Sequence, residues 1–279
     1  MSQRLLYAAF ISAASLISAC SSLPPISERI NSADQLAKSS GFRKQLITTD
    51  AFNLVSYQKI SSTSDGVLVI YIEGDGSAWK SGSLPSDDPT PTNPLALGLA
   101  VQDKRPAVAY LSRPCQFTGM PSKGCSEAVW TDARFSPAVI NSNNQAIDIL
   151  KKQYQAKDLI LVGYSGGATV ASLLAAQRND IRELITVAGN LDTEAWVKYF
   201  GLNPLTGSLN PADKVKQLSA IKQIHFIGAK DQVIPIEITQ GYLKKLTKPN
   251  QAQLIEIKDY GHVCCWQQNW PALLNRIQQ

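Results

Sequence analysis

The amino-acid sequence predicts an α/β fold: a mainly parallel central sheet with helices on both faces and a small cap insertion. Three observations predict it. First, several short runs are almost wholly apolar, among them 66–73 (GVLVIYIE), 158–163 (DLILVG) and 183–188 (ELITVA). A strand covered on both faces reads this way, whereas a half-exposed strand alternates. Second, helix-length segments with an apolar stripe lie between these runs, and strands alternating with helices are the pattern of parallel sheets. Third, the run at 158–163 passes through Gly163-Tyr164-Ser165-Gly166-Gly167 directly into a helix of small and apolar residues, 167–177 (GATVASLLAAQ). Small residues let a helix pack tightly on a sheet.

In chain order, residues 5–19 (LLYAAFISAASLISA) follow Arg4 and form an apolar run. The run is short for a membrane-spanning helix and fits the apolar part of a secretory signal, assigned here to residues 1–19. Residues 20–45 are polar, with several serines and Pro24-Pro25, and read as a tether followed by a first helix or irregular stretch. The folded domain is then expected over 46–279. It starts with strands at 52–60, 66–73 and 106–112 (PAVAYLS). Residues 137–154 carry helical spacing, with Val139, Ile140, Ile147, Leu150 and Tyr154 near one stripe. After the strand at 158–163 and its small-residue helix come strands at 183–188 and 223–228 (QIHFIG), a helix at 236–247, a last strand at 252–257 (AQLIEI) and a last helix at 266–278. About residues 190–220 contain Trp196, Tyr199 and Phe200 without a strand pattern, and are expected to be a cap-like insertion over the sheet edge. No internal repeat is evident.

Composition narrows the function classes. Of 279 residues, 44% are hydrophobic and 18% charged, which excludes a disordered or low-complexity chain. A core of this size folds without disulfides or metal. The net charge of +5 is mild, and no Lys/Arg block exceeds two residues, so nucleic acid is not an expected partner. Weak attraction to an anionic surface is the expected consequence.

The segment Ile17-Ser18-Ala19-Cys20 resembles the bacterial lipoprotein lipobox, an aliphatic/small/small/Cys pattern. The resemblance implies cleavage before Cys20 and lipidation of its thiol. Ser21 rather than Asp follows, which by the same pattern implies an outer-membrane lipoprotein facing the periplasm. The membrane would then be a partner through the anchor on Cys20.

Gly163-Tyr164-Ser165-Gly166-Gly167 is G-x-S-x-G at a strand-to-helix turn. Such a turn needs small neighbours, because the serine must adopt a strained conformation with its hydroxyl projecting. On this motif and the strand order, the chain resembles the α/β-hydrolase superfamily from about residue 50 onward. That family orders its triad as nucleophile, acid, histidine. Asp231 follows the strand QIHFIG, and His262 sits in a Gly-His loop before the last helix, so the resemblance implies catalytic Ser165, Asp231 and His262. A serine hydroxyl is a poor nucleophile at neutral pH. A histidine that takes its proton and an aspartate that fixes the imidazole tautomer make it a good one. Asp192, after the preceding strand, is a competing acid. Only one other histidine exists, His225, and it falls within a strand, where a core position is expected.

An oxyanion hole needs two backbone N–H groups. Gly166 is expected to supply one. The other is expected from Asp75 in Glu73-Gly74-Asp75-Gly76, where the family often has His-Gly-X. A carboxylate beside a developing oxyanion is unfavourable unless it points away or is paired, for example with Arg113. Glu73 and Asp75 are candidates for recognising a cationic or hydroxyl-bearing substrate, or for bracing the loop. Trp79, Tyr164 and Trp196 are candidate pocket residues, together with the segment 130–135 (WTDARF).

Four cysteines remain besides Cys20. In an exported chain Cys115 and Cys125 are expected to form a disulfide. Adjacent Cys264 and Cys265 leave open a vicinal ring, free thiols or other cross-links. No metal site and no cofactor are expected, since no spaced Cys/His set is present. The segments YIEGDG, RPCQ and HVCCW also resemble a poorly characterised group of bacterial α/β-hydrolase-fold lipoproteins. The function expected is that of a membrane-tethered periplasmic serine hydrolase acting on a small-molecule or acyl substrate, most simply a carboxylic ester. The alternative is a non-catalytic binding or envelope-assembly lipoprotein on the same fold.

Overall fold

In the computed structural model, which describes residues 23–59 and 66–277, the apolar runs line up as neighbours in one sheet. Its strands are β1 (Arg43–Thr48), β2 (Asn53–Lys59), β3 (Val67–Ile72), β6 (Val108–Leu111), β7 (Asp158–Tyr164), β8 (Ile181–Val187), β9 (Lys222–Gly228) and β10 (Ala252–Ile257), with β4 (Trp79–Ser81) and β5 (Leu84–Pro85) forming a separate small hairpin. The sheet order is β1-β2-β6-β3-β7-β8-β9-β10. From β6 to β10 all neighbours pair in parallel, and β2 is antiparallel to both β1 and β6.

Every residue of β3 is buried, as are all but the first of β7. The reason is that helices cover both faces. On one face α3 (Pro137–Tyr154), α4 (Gly166–Ala175) and α7 (Ile236–Lys245) pack Val139, Ile147, Leu173 and Tyr242 against Leu68, Ile70 and Leu161. On the other, α1 (Ile26–Ser39), α2 (Leu95–Ala100) and α8 (Trp266–Asn275) pack Ala33, Leu97, Trp266 and Trp270 against Val69, Tyr71 and Val162. Ser136 caps α3 by accepting from Val139 N, and Pro137 sits in its first turn, which fixes where that helix starts. Among the described residues no helix is long and apolar enough to cross a membrane. The apolar run 5–19 and Cys20 lie outside the described residues.

Two boundaries differ from the sequence reading. The stretch to residue 45, read as a tether followed by a first helix or irregular segment, contains α1, whose Arg29, Ala33 and Ala37 are buried, and the first half of β1; the packed part of the chain starts at Ile26 rather than at 46. The apolar face of α1 is made of alanines, so its signal in the sequence is weak, and β1 is an edge strand with Ile47 as its only fully buried position. The run PLALGLA also forms the wholly buried α2, too short to show a period. The stretch near 190–220 holds α5 (Thr193–Phe200) and α6 (Val215–Leu218), with α5 exposing Tyr199 and Phe200.

Candidate active site

The turn from β7 into α4 is sharp because Ser165 has φ 51° and ψ −121°, a conformation unfavourable for a residue with a Cβ. Glycines permit it. A Cβ at Gly163 would lie 2.5 Å from Ala168 Cα, and one at Gly167 would overlap the carbonyl oxygens of Ile72 and Glu73. Ser165 N donates to Val187 O at 3.0 Å, which ties the strained residue to the end of β8.

Asp231 and His262 come from the loops after β9 and β10. His262 Nε2 lies 2.9 Å from Ser165 Oγ, and its Nδ1 lies 2.9 Å from Asp231 Oδ2. A proton on Nδ1 satisfies both bonds, leaving Nε2 to accept from the serine hydroxyl. Asp231 is buried, and its Oδ1 accepts from the backbone N–H of Val233 at 2.9 Å and of Ile234 at 2.8 Å. The carboxylate is therefore fixed before it meets the imidazole. The histidine loop is held from the last helix: Trp266 Nε1 donates to the carbonyls of Gly261 and His262 at 3.1 and 3.0 Å, and Trp270 Nε1 donates to the Tyr71 hydroxyl at 2.8 Å. Tyr164 adds a bond from its hydroxyl to His262 O at 3.3 Å. Burial, with Glu73, Asp231 and Asp75 nearby, pushes the Tyr164 pKa up, so it remains a hydroxyl donor.

The competing acid is occupied elsewhere. Asp192 Oδ1 caps α5 by accepting from Ala195 N, and its Oδ2 pairs with Lys245. His225 is buried in the core, with Nδ1 2.8 Å from Thr186 Oγ1 and its pKa pushed down to about 3 by burial.

The backbone N–H groups of Asp75 and Gly166 have no acceptor among the described residues. The side chain of Asp75 is doubly paired, with Arg113 Nη1 3.0 Å from Oδ1 and Arg134 Nη1 2.9 Å from Oδ2. Burial alone would raise its pKa, but the two guanidinium groups outweigh that and hold it below the usual carboxylate range. Sequence reasoning named Arg113 as a partner of Asp75 and Arg134 only as part of a pocket-lining segment. The loop is further pinned by Gln116 Nε2 donating to Gly74 O at 3.0 Å. Arg113 and Gln116 flank Cys115, which is joined by a disulfide to Cys125 with the Cα atoms 5.7 Å apart. The RPCQ segment thus braces the loop after β3. Cys264 and Cys265 are joined to each other.

Glu73 does not reach out as a recognition group. Its Oε1 accepts from Gly74 N at 3.0 Å and Ala96 N at 3.3 Å, at the start of α2, while Oε2 has no hydrogen-bond partner. Burial is the main cause of a pKa pushed up to about 7, against the lowering effect of these donors. A cavity of about 460 Å³ opens above the serine, and its wall includes Glu73, Asp75, Trp79, Tyr164, Ser165, Gly166, Trp196 and His262. The structure thus brings the sequence-predicted pocket residues to one cavity, and adds Asn190 and Val233 to it. From 130–135 only Arg134 and Phe135 reach the wall; Trp130 is buried beneath, donating to Ser86 O at 3.2 Å. No group of residues among those described is arranged to hold a metal ion.

Solved structures share this fold at low identity. The chain is similar to the Pyrococcus furiosus esterase Pf2001 (TM-score 0.60, 17% identity, covering 86% of this chain and 90% of that one). It is also similar to the α/β hydrolase GrgF from a Penicillium species (0.62, 14%, 85% and 96%) and to Est1E from Butyrivibrio proteoclasticus (0.58, 15%, 85% and 99%). No curated protein matches significantly. The sequence model of one family, described as serine hydrolase (FSH1), matches residues 37–264. With that match over most of its length, and with an α/β-hydrolase sheet beneath a serine at the strand-to-helix turn, the chain belongs to the FSH1 serine hydrolase family.

Proposed function

We propose that the protein hydrolyses a carboxylic ester through an acyl-enzyme on Ser165, and does so tethered to the outer membrane through a lipid on Cys20, facing the periplasm. The observation that carries the catalytic part is the relay Ser165 Oγ–His262 Nε2 at 2.9 Å and His262 Nδ1–Asp231 Oδ2 at 2.9 Å, beside two N–H groups without acceptors. In the first step Ser165 Oγ attacks the ester carbonyl while His262 takes its proton, and the oxygen that becomes negative is received by the N–H groups of Asp75 and Gly166. Asp231 stabilises the imidazolium. Collapse breaks the ester C–O bond, and the alcohol leaves with the proton returned by His262. Water then repeats the sequence on the acyl-serine and releases the acid. The localisation rests on Ile17-Ser18-Ala19-Cys20 after an apolar run. A fluorescent fluorophosphonate should label the wild type and not Ser165→Ala, and short 4-nitrophenyl esters should be turned over by the unlabelled wild type alone. Equal labelling of both, or none in a folded wild type, would overturn the mechanism.

A further inference from the structure

Among the residues that line the catalytic cavity, Arg134 is the only lysine or arginine. Its side chain is 8% exposed. Nε donates to Thr131 O and Nη1 to Asp75 Oδ2, but Nη2 has no hydrogen-bond partner among the described residues and is not sealed from solvent. A buried guanidinium is a rigid fork of donors, and leaving one prong unused is costly unless something else fills it. The neighbouring carboxylates cannot. Both oxygens of Asp75 are taken, one by each arginine, and Asp231 is held by His262 and two backbone N–H groups. Glu73 bonds at the start of α2 and carries a raised pKa that leaves it partly protonated at neutral pH. Two guanidinium groups therefore share one carboxylate, and Arg134 is the one of the two that lines the cavity with a donor unused.

The location of that donor is informative. A Cβ at Gly166 would overlap Asp75 Oδ1, so the Asp75 carboxylate lies directly against the oxyanion site. Arg134 stands one carboxylate further out, bonded to the other oxygen of Asp75. The rest of the wall is contributed mainly by apolar groups, including Trp79, Phe135, Trp196 and Val233, which would strengthen a charge pair by excluding water.

Building on the ester-hydrolase reading, we propose that Arg134 Nη2 is an anion subsite, and that the substrate is an ester carrying a carboxylate. The carboxylate accepts from Nη2, which holds the carbonyl against the N–H groups of Asp75 and Gly166. Arg134 is a specificity residue that touches substrate outside the reacting bond.

The test compares charged and neutral esters of equal size. On the acyl side these are 4-nitrophenyl hemisuccinate and 4-nitrophenyl pentanoate; on the alcohol side they are 3-acetoxypropanoate and 3-acetoxypropanamide, followed by acid release. Wild type should favour the charged member of one pair by about 30-fold in kcat/KM, the effect of one charge-assisted hydrogen bond, and the pair showing it identifies the side that carries the anion. Arg134→Gln should bring the ratio close to one, whatever happens to the absolute rates, and Arg134→Lys should restore part of it. Succinate should inhibit the wild type competitively where succinamide does not, a readout that needs no variant. A ratio near one for both pairs in a wild type that hydrolyses them, or a ratio unchanged in folded Arg134→Gln, would overturn the subsite and leave the hydrolase intact. Absence of both turnover and fluorophosphonate labelling would instead remove the hydrolase reading on which the subsite depends.

Discussion

The carboxylate of Asp75 is packed against the Cα of Gly166, so closely that a Cβ at position 166 would occupy the space of Oδ1. Both residues line the cavity, and neither backbone N–H has an acceptor among the described residues. Because Arg113 and Arg134 hold the carboxylate, it cannot simply swing aside.

Gly166→Ala should therefore lower kcat by about 100- to 1000-fold, the range for losing an oxyanion donor. The effect should fall on kcat more than on KM. Circular dichroism should show the fold retained; activity within a few-fold of wild type would mean that position 75 supplies no donor.

Asp231→Asn should lower kcat by about 10⁴-fold, because the amide no longer holds the imidazole in the tautomer that accepts from Ser165. Its remaining carbonyl oxygen can still accept from Val233 and Ile234 N–H, so thermal stability should change little. Near-normal turnover would shift the role to Asp192, despite its pairing with Lys245.

Glu73 gives a pH signature of stability. Its folded pKa of about 7 lies above the ordinary 4.5, so the folded state holds the proton more tightly than the unfolded chain. Its contribution is present below pH 4.5 and is lost as pH rises to about 7. The loss is on the order of 3 kcal/mol at about 1.4 kcal/mol per pKa unit. Urea unfolding should show wild type weakening relative to Glu73→Gln between pH 5 and pH 8. Parallel stability curves for the two would show that Glu73 ionises as it does in the unfolded chain.

The Cys115–Cys125 disulfide closes a loop with a sequence separation of 10. Replacing both cysteines with serine should cost about 2–4 kcal/mol in denaturant unfolding. It should also lower kcat, since Arg113 and Gln116 in the same loop hold Asp75 and Gly74. Unchanged stability in the double variant would show that packing alone holds the loop.

Cys20→Ser should move the protein from the membrane pellet to the soluble fraction after carbonate washing, with ester turnover retained. Retention in the pellet would place the tether elsewhere.

The parallel sheet was legible because β3, β7 and β8 are covered on both faces, which makes their sequences nearly continuous apolar runs. Ser165, Asp231 and His262 could be singled out together because the α/β-hydrolase resemblance supplies their order along the chain, and the structure places their side chains within hydrogen-bond distance of one another. What stayed hidden is what depends on contacts across long separations. Arg134 pairs with a residue 59 positions away, and nothing in WTDARF announces it. Helix α1 was left open between a first helix and an irregular stretch, since the alanines of its buried face give little contrast against a polar background. For Glu73 the sequence left ligand recognition and loop bracing open, and the contacts with the N–H groups of Gly74 and Ala96 decide for bracing.

Trp266 and Trp270, which fasten the histidine loop to the sheet, come last in the order of elements. Ser165 is synthesised 97 residues before the imidazole that contacts it, and the two indoles follow later still. The serine therefore has no hydrogen-bond partner in His262 until α8 docks on the sheet, so the contact depends on the last-made helix of the described chain.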